Sequence, residues 1–109
     1  MEIDNDLKYL AETDVPYAKG TSKLTKHVHD LKHIKGKFIV EHSNMPVSKA
    51  EQHFYASEEY KSYQDEFSKL DETVSILRNK RALSVTRIDV WRTLEASRRK
   101  GNIQWMYNF

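Results

Sequence analysis

Residues 58–100, a stretch without glycine or proline, constrain the fold most strongly. These 43 residues correspond to roughly 65 Å of α-helix at about 1.5 Å per residue. A chain of 109 residues buries only a modest core, so a helix of this length needs partners along its sides. We therefore expect it to pack partly on the rest of the chain and partly on another subunit.

Apolar residues fall on two sides of this helix. Steps of three and four residues place one set on a heptad-like seam: Tyr60, Tyr63, Phe67, Leu70, Val74 and Leu77, continued by Val85 and Ile88. A second set lies nearly opposite: Ile76, Leu83, Val90 and Leu94. A helix with two apolar sides has two partners, so we predict that the second set forms a homo-oligomer interface. A compact monomer folded over both sides is the alternative.

The first half of the chain also has helical spacing. A short helix is predicted over 3–11, and a main helix over 14–43. Thr13 or Asp14 is the expected cap of the main helix, with Pro16 in its first turn.

Two further caps are predicted after the sequence Asn-Met-Pro at 44–46, which ends the main helix. Ser48 and Glu51 match a capping box that opens a short helix. Ser57 caps the last helix, which is predicted over 57–100.

The predicted fold is all-α. It is an elongated helical hairpin forming a single domain over 1–109, with a short N-terminal helix, one long C-terminal helix and coiled-coil-like packing. Gly101 is expected to stop the last helix and to begin an aromatic tail over 102–109. Four alternating apolar residues of this tail are expected to dock on the protein itself or on a partner: Ile103, Trp105, Tyr107 and Phe109.

The sequence lacks the motifs that are typical of several functional classes. Cysteine is absent, and no glycine-rich phosphate loop or nucleophile motif occurs. His29 and His33 share a helix face, but no further ligand completes a metal site, so we expect surface histidines. The acidic run over 58–72 is typical of helix-surface ion pairs. We expect that the protein is not an enzyme and that it binds no cofactor and no metal.

No apolar run approaches the ~20 residues of a membrane span. The acidic N-terminus lacks the pattern of a signal peptide. We expect a cytoplasmic protein.

Charge alternates along the chain in four blocks. Residues 1–14 carry five acids and one lysine, and residues 15–50 carry seven lysines and two acids. Residues 51–75 carry seven acids and two lysines, and residues 76–109 carry eight basic residues and two acids. Antiparallel helices with complementary charge explain this pattern, and so does a basic end that meets a polyanion. The two explanations are compatible.

A basic column in the last helix predicts a strand-binding surface. Spacings of seven, four and seven align Lys80, Arg87, Trp91 and Arg98, and Arg99 and Lys100 follow. Cations bind phosphates, and an indole stacks on a base, in proteins that hold single-stranded DNA. The structural alternative is cations that favour the helix C-terminus, with Trp91 in the core.

Three stretches together resemble small helical proteins of phage and prophage genomes that are encoded beside recombination genes. They are residues 9–14 (YLAETD) with 17–19 (YAK), 55–60 (YASEEY), and 88–92 (IDVWR) leading to 98–103 (RRKGNI). Those proteins in turn resemble, distantly, the recombination mediator of T-even phages. The resemblance implies an oligomeric accessory protein of DNA recombination that binds single-stranded DNA and assists a RecA-like or annealing recombinase.

Other classes remain open at this point. A small phage inhibitor or adaptor that binds a host protein, for example an anti-CRISPR or other anti-defence protein, would also use a basic helix. An assembly chaperone or scaffold is a third class.

Overall fold

The chain is all-α in a computed structural model that describes the backbone of residues 2–107 and the side chains of residues 2–101. Its helices are α1 (Asp4–Glu41), α2 (Val47–Tyr55) and α3 (Glu58–Tyr107), and no strand occurs in the described part. The 50 residues of α3 and the 38 of α1 confirm an all-α fold with a long C-terminal helix and a shorter N-terminal one. None of these helices combines the length and apolar character needed to cross a bilayer.

α1 is one continuous helix, so the predicted separate helix over 3–11 and the cap at Thr13 or Asp14 are wrong. Pro16 lies inside the helix, where it removes a backbone donor at a cost of about 3 kcal/mol. Packing on α3 must outweigh this cost. The Thr13 hydroxyl instead donates to the Tyr9 carbonyl at 2.6 Å.

One predicted cap is confirmed and another is wrong. The Tyr60 N–H donates to the Ser57 hydroxyl at 3.2 Å, so Ser57 caps α3. The N-cap of α2 is Pro46, and no side chain caps this helix. Ser48 therefore has no capping role, because α2 begins at Val47 and Ser48 already lies within its first turn.

α3 continues past Gly101, where the sequence predicted a stop. Gly101 does not have the positive φ of a helix-ending glycine, so it is an interior residue that costs about 1 kcal/mol relative to alanine. The backbone of the predicted extended tail is thus helical as far as Tyr107. The side chains predicted to dock lie outside the described set: Ile103, Trp105, Tyr107 and Phe109.

Contacts divide the chain into two compact units. Unit 1 consists of Met1–Pro16 and Ile76–Phe109, and unit 2 is Tyr17–Ser75. Each unit contains a part of α1 and a part of α3, and unit 2 also contains α2. The division of α1 falls at its internal proline.

Unit 2 has an aromatic core. Phe54, Tyr63 and Val74 are buried, and the ring of His27 stacks on Tyr63 with centroids 4.2 Å apart. The seam predicted over 60–77 is buried or half-buried throughout, in agreement with the sequence pattern.

The core of unit 1 is thinner and partly polar. Asp6, Ser84 and Ile88 are buried, whereas Val85, which the predicted seam placed inside, is 47% exposed. A strict seven-residue repeat from Tyr63 through Leu70 and Leu77 continues to Ser84 and not to Val85. The packed side of α3 therefore follows the heptad repeat, and Val85 lies one residue outside it.

Candidate nucleic-acid interface

Within unit 1 the two helices run antiparallel. The Arg87 Nε atom lies 3.3 Å from the Asp6 carboxylate, at the start of α1. Arg81, nearer the middle of α3, donates to the Leu10 carbonyl at 2.8 Å, further along α1. Higher numbers on α3 therefore meet lower numbers on α1.

This pairing leaves the end of α3 without a neighbour from α1. α1 begins at Asp4, only two residues before the partner of Arg87, while α3 continues for a further 20 residues. Every residue in 92–101 is exposed except Glu95, which is half-buried. We call residues 92–101 the free end of α3.

Three of the predicted DNA-binding residues are exposed cations without an ion-pair partner in the described part of the chain: Lys80, Arg99 and Lys100. Arg92 shares this property, although the sequence analysis did not select it. Its position seven residues before Arg99, on the same side of the helix, was the signal that could have identified it. The free end of α3 therefore combines high positive charge with full access to solvent.

Two other predicted cations have carboxylate partners. Arg98 pairs with Glu95 one turn earlier, and the arginine side chain stays 65% exposed. Such surface pairs contribute only about 0–1 kcal/mol, so a phosphate can replace the carboxylate at little cost. Arg87 differs because its partner Asp6 is buried, so releasing this arginine would leave a buried carboxylate unpaired.

Trp91 is half-buried on the side of α3 that also carries the buried Ile88. It lies between the two alternatives of the sequence analysis, since part of its ring packs in unit 1 and part is exposed. Only the exposed part is available for stacking on a base.

Arg81 has a structural role in unit 1. Its guanidinium donates to the Leu10 carbonyl and to the Thr13 hydroxyl at 2.6 Å, and lies 3.5 Å from Asp14. The ion pairs of Asp6 and Asp14 show that complementary charge between antiparallel helices explains part of the block pattern. Complementary charge between α1 and α3 does not account for the cations of the free end of α3.

The residues of the predicted oligomer interface form an exposed apolar row on α3. Their exposed fractions are 47% for Ile76, 58% for Leu83, 43% for Val90 and 56% for Leu94. We call this row the α3 stripe. The half of α3 that carries the cations thus also carries apolar surface that unit 1 leaves uncovered.

Unit 2 contains a groove of about 760 Å³ that is lined by apolar and acidic side chains. Phe38 and Tyr63 contribute apolar surface, and Glu41, Glu59 and Glu66 contribute carboxylates. Because of this charge, the groove is unsuited to nucleic acid.

The histidines predicted as surface residues, His29 and His33, are exposed. No cluster of three metal-binding side chains is found among the residues described. Near them, a hydrogen bond from Lys26 lowers the pKa of the Asp30 carboxyl, which therefore keeps its charge at neutral pH.

Comparison of the chain with known protein families, with curated proteins and with solved structures gave no match. The geometry of α3 is therefore the structural basis for a functional proposal.

Proposed function

We propose that this protein binds single-stranded DNA through the basic half of α3 and acts as an oligomeric accessory protein of phage-type DNA recombination. The observation that carries the proposal is the free end of α3, whose cations Arg92, Arg99 and Lys100 lack ion-pair partners in the described chain. Unpaired cations on an exposed helix bind phosphates without first breaking an internal contact.

The arrangement suits a flexible single strand. Cations surround the free end of α3 instead of forming one flat surface, so a strand can follow the helix and contact several of them. Lys80 extends the contact toward the middle of α3, and the exposed part of Trp91 offers a stacking surface. Base stacking on an aromatic ring contributes about 1–3 kcal/mol per base.

The role in recombination rests on the resemblance of the sequence stretches given above. It implies a RecA-like or annealing recombinase as a partner, with the protein helping the recombinase onto the strand. Cytoplasmic action belongs to the same proposal.

Salt-dependent binding of labelled oligo-dT tests the DNA-binding surface. Each phosphate contact adds about −0.7 to the slope of log K against log salt for a single strand. The variant Arg99→Ala with Lys100→Ala should weaken binding and reduce the steepness of the slope by about 1.4, if each cation meets one phosphate.

The matched control is Lys61→Ala with Lys69→Ala, which removes the same charge from exposed positions in the acidic half of α3. Its slope should equal that of the wild type. Equal losses in both double variants would show that net charge, and not the free end, governs binding.

The alternative function, an inhibitor or adaptor that binds a host protein, is favoured by a different observation, the exposed α3 stripe. Absence of oligo-dT binding even at low salt would support that alternative and contradict the DNA-binding proposal.

A further inference from the structure

Unit 1 exposes a second apolar row, on α1. Leu7 is 49% exposed and Val15 is 57% exposed, and Ala11 lies exposed between them at four-residue spacing. This spacing places the three side chains on one side of the helix. We call them the α1 stripe.

The residues that border the two stripes carry opposite net charge. Asp4 and Asp14 are exposed beside the α1 stripe, and so is Lys8, the one lysine of the N-terminal block that carries five acids. The α3 stripe is bordered by the exposed cations Lys80, Arg87 and Arg98. The borders remain accessible even where they form ion pairs, since the Asp14 side chain is 75% exposed and that of Arg98 is 65% exposed.

We propose that the α3 stripe of one copy docks on the α1 stripe of a second copy, so that the chain assembles head to tail. The inference rests on the oligomer in the proposed function and names its two surfaces. Leu7 and Val15 are roughly 12 Å apart along α1, and Leu83 and Val90 are roughly 10 Å apart along α3, so the α1 stripe matches the central pair of the longer α3 stripe. Acidic and basic borders then face each other across an apolar centre.

Pairing of two α3 stripes satisfies the observations less well. It would bring the cations Lys80, Arg87 and Arg98 of both copies to one seam, with like charges repelling, and it would leave the α1 stripe uncovered. A head-to-tail contact instead uses two different surfaces, and such contacts build closed rings or open filaments. Arg99 and Lys100 lie beyond Leu94, the last residue of the α3 stripe, and stay available for a strand.

Complementation between two defective variants tests the contact. Leu83→Glu with Val90→Glu removes the α3 stripe, and Leu7→Glu with Val15→Glu removes the α1 stripe. Each variant alone should sediment as a 12.9 kDa monomer with wild-type helicity. Mixed in equal amounts, they should form a heterodimer of twice that mass, because one variant keeps an intact α1 stripe and the other an intact α3 stripe.

The control, Val28→Glu with Val40→Glu, adds the same charge at two exposed valines of unit 2 and should assemble like the wild type. If the α1 variant loses helicity, Leu7→Gln with Val15→Thr tests the same surface without added charge. The double variant Leu7→Gln with Val15→Thr should also be a monomer.

Three outcomes overturn the proposal: an α1 variant that assembles like the wild type, two monomeric variants that do not combine, or a wild type that remains monomeric. Oligo-dT binding by the same samples is scored separately. Failure of the two variants to combine, with retained salt-dependent binding, would reject the head-to-tail contact alone, whereas intact assembly of the wild type without binding would reject the DNA-binding function alone.

Discussion

Gly20 marks a close approach of α1 and α3 in unit 2. A Cβ atom added there would lie 2.9 Å from the Cγ2 atom of Val74, and Val74 is fully buried. A short β-branched side chain in a packed interior has little room to move, so the helices would have to separate. Gly36, in the same helix, has no neighbour within 4 Å of such an atom.

Alanine at these two glycines should have opposite effects on stability. Gly36→Ala should raise the free energy of unfolding by about 0.5–1 kcal/mol through helix propensity. Gly20→Ala gains the same helix propensity but should lower the free energy of unfolding overall, since overpacking typically costs about 1–3 kcal/mol. Urea unfolding followed by circular dichroism measures both. A Gly20→Ala protein as stable as Gly36→Ala would mean that the close approach imposes no constraint.

His27 and Tyr63 connect α1 and α3 by two reciprocal hydrogen bonds. The Tyr63 hydroxyl donates to the His27 carbonyl at 2.7 Å, and the His27 Nε2 atom lies 3.2 Å from the Tyr63 carbonyl. A carbonyl only accepts, so Nε2 must carry the hydrogen. Burial raises the pKa of the Tyr63 phenol above its ordinary value near 10.

This shift predicts how stability depends on alkaline pH. The folded state favours the neutral phenol, so the contribution of Tyr63 is complete below about pH 10 and is lost as pH rises through the folded-state pKa. Tyr63→Phe should cost about 0.5–1.5 kcal/mol at neutral pH and should lessen the decline above pH 10. Tyr9→Phe is the control, because the Tyr9 hydroxyl has no hydrogen bond within the described residues. Identical alkaline profiles for wild type and Tyr63→Phe would contradict the prediction.

At the scale of the helices, Arg81 is the main polar link between α1 and α3 in unit 1. Its side chain is only 18% exposed, and its contacts to Leu10, Thr13 and Asp14 cover the turn of α1 that precedes Pro16. Those contacts help explain why α1 stays continuous through the proline.

Replacing Arg81 should therefore destabilise unit 1. Arg81→Met keeps the apolar stem but removes the donors, and hydrogen bonds to a charged group contribute about 1.5–3 kcal/mol. We expect a loss of that size in thermal or urea unfolding. Asn79→Ala, at an exposed position two residues earlier, should change stability by no more than about 0.5 kcal/mol. Equal stability of the two variants would show that the link contributes nothing.

Sequence patterns predicted the helices better than their ends. The seam over 60–77 and the Ser57 cap depend on local spacing, and both agree with the structure. Pro16 and Gly101 were misjudged because local signals are overridden by context, at Pro16 by the packing of α1 on α3 and at Gly101 by the neighbouring helix formers. The sequence contains no direct sign that Arg81 would supply donors beside the proline.

At the scale of the whole molecule, the charge blocks predicted that a basic region would exist. They did not predict which of its cations would lack an ion-pair partner in the described part of the chain. In the antiparallel pair of helices, Arg81 and Arg87 form ion pairs with acidic residues of α1. Which cations pair in this way depends on the register of α1 against α3. The position at which α1 begins decides which part of α3 has no neighbour. Such facts follow from the tertiary arrangement, so periodicity identified Lys80, Arg99 and Lys100 as candidates while overlooking Arg92.

The absence of a neighbouring helix beside the free end of α3 leads to a prediction about its stability. Isolated helices shorter than about 12–15 residues are marginal in water, and residues 92–101 bury little surface. In the monomeric variant Leu83→Glu with Val90→Glu, their amides should exchange hydrogen much faster than those near Tyr63 and Val74. Saturating oligo-dT should slow this exchange while leaving the core amides unchanged, because bound phosphates neutralise the cations that repel one another along the helix. Mass spectrometry of peptic peptides measures both regions. Equal protection without DNA would mean that this segment is held by a contact within the chain, and unchanged exchange with bound DNA would place the strand elsewhere.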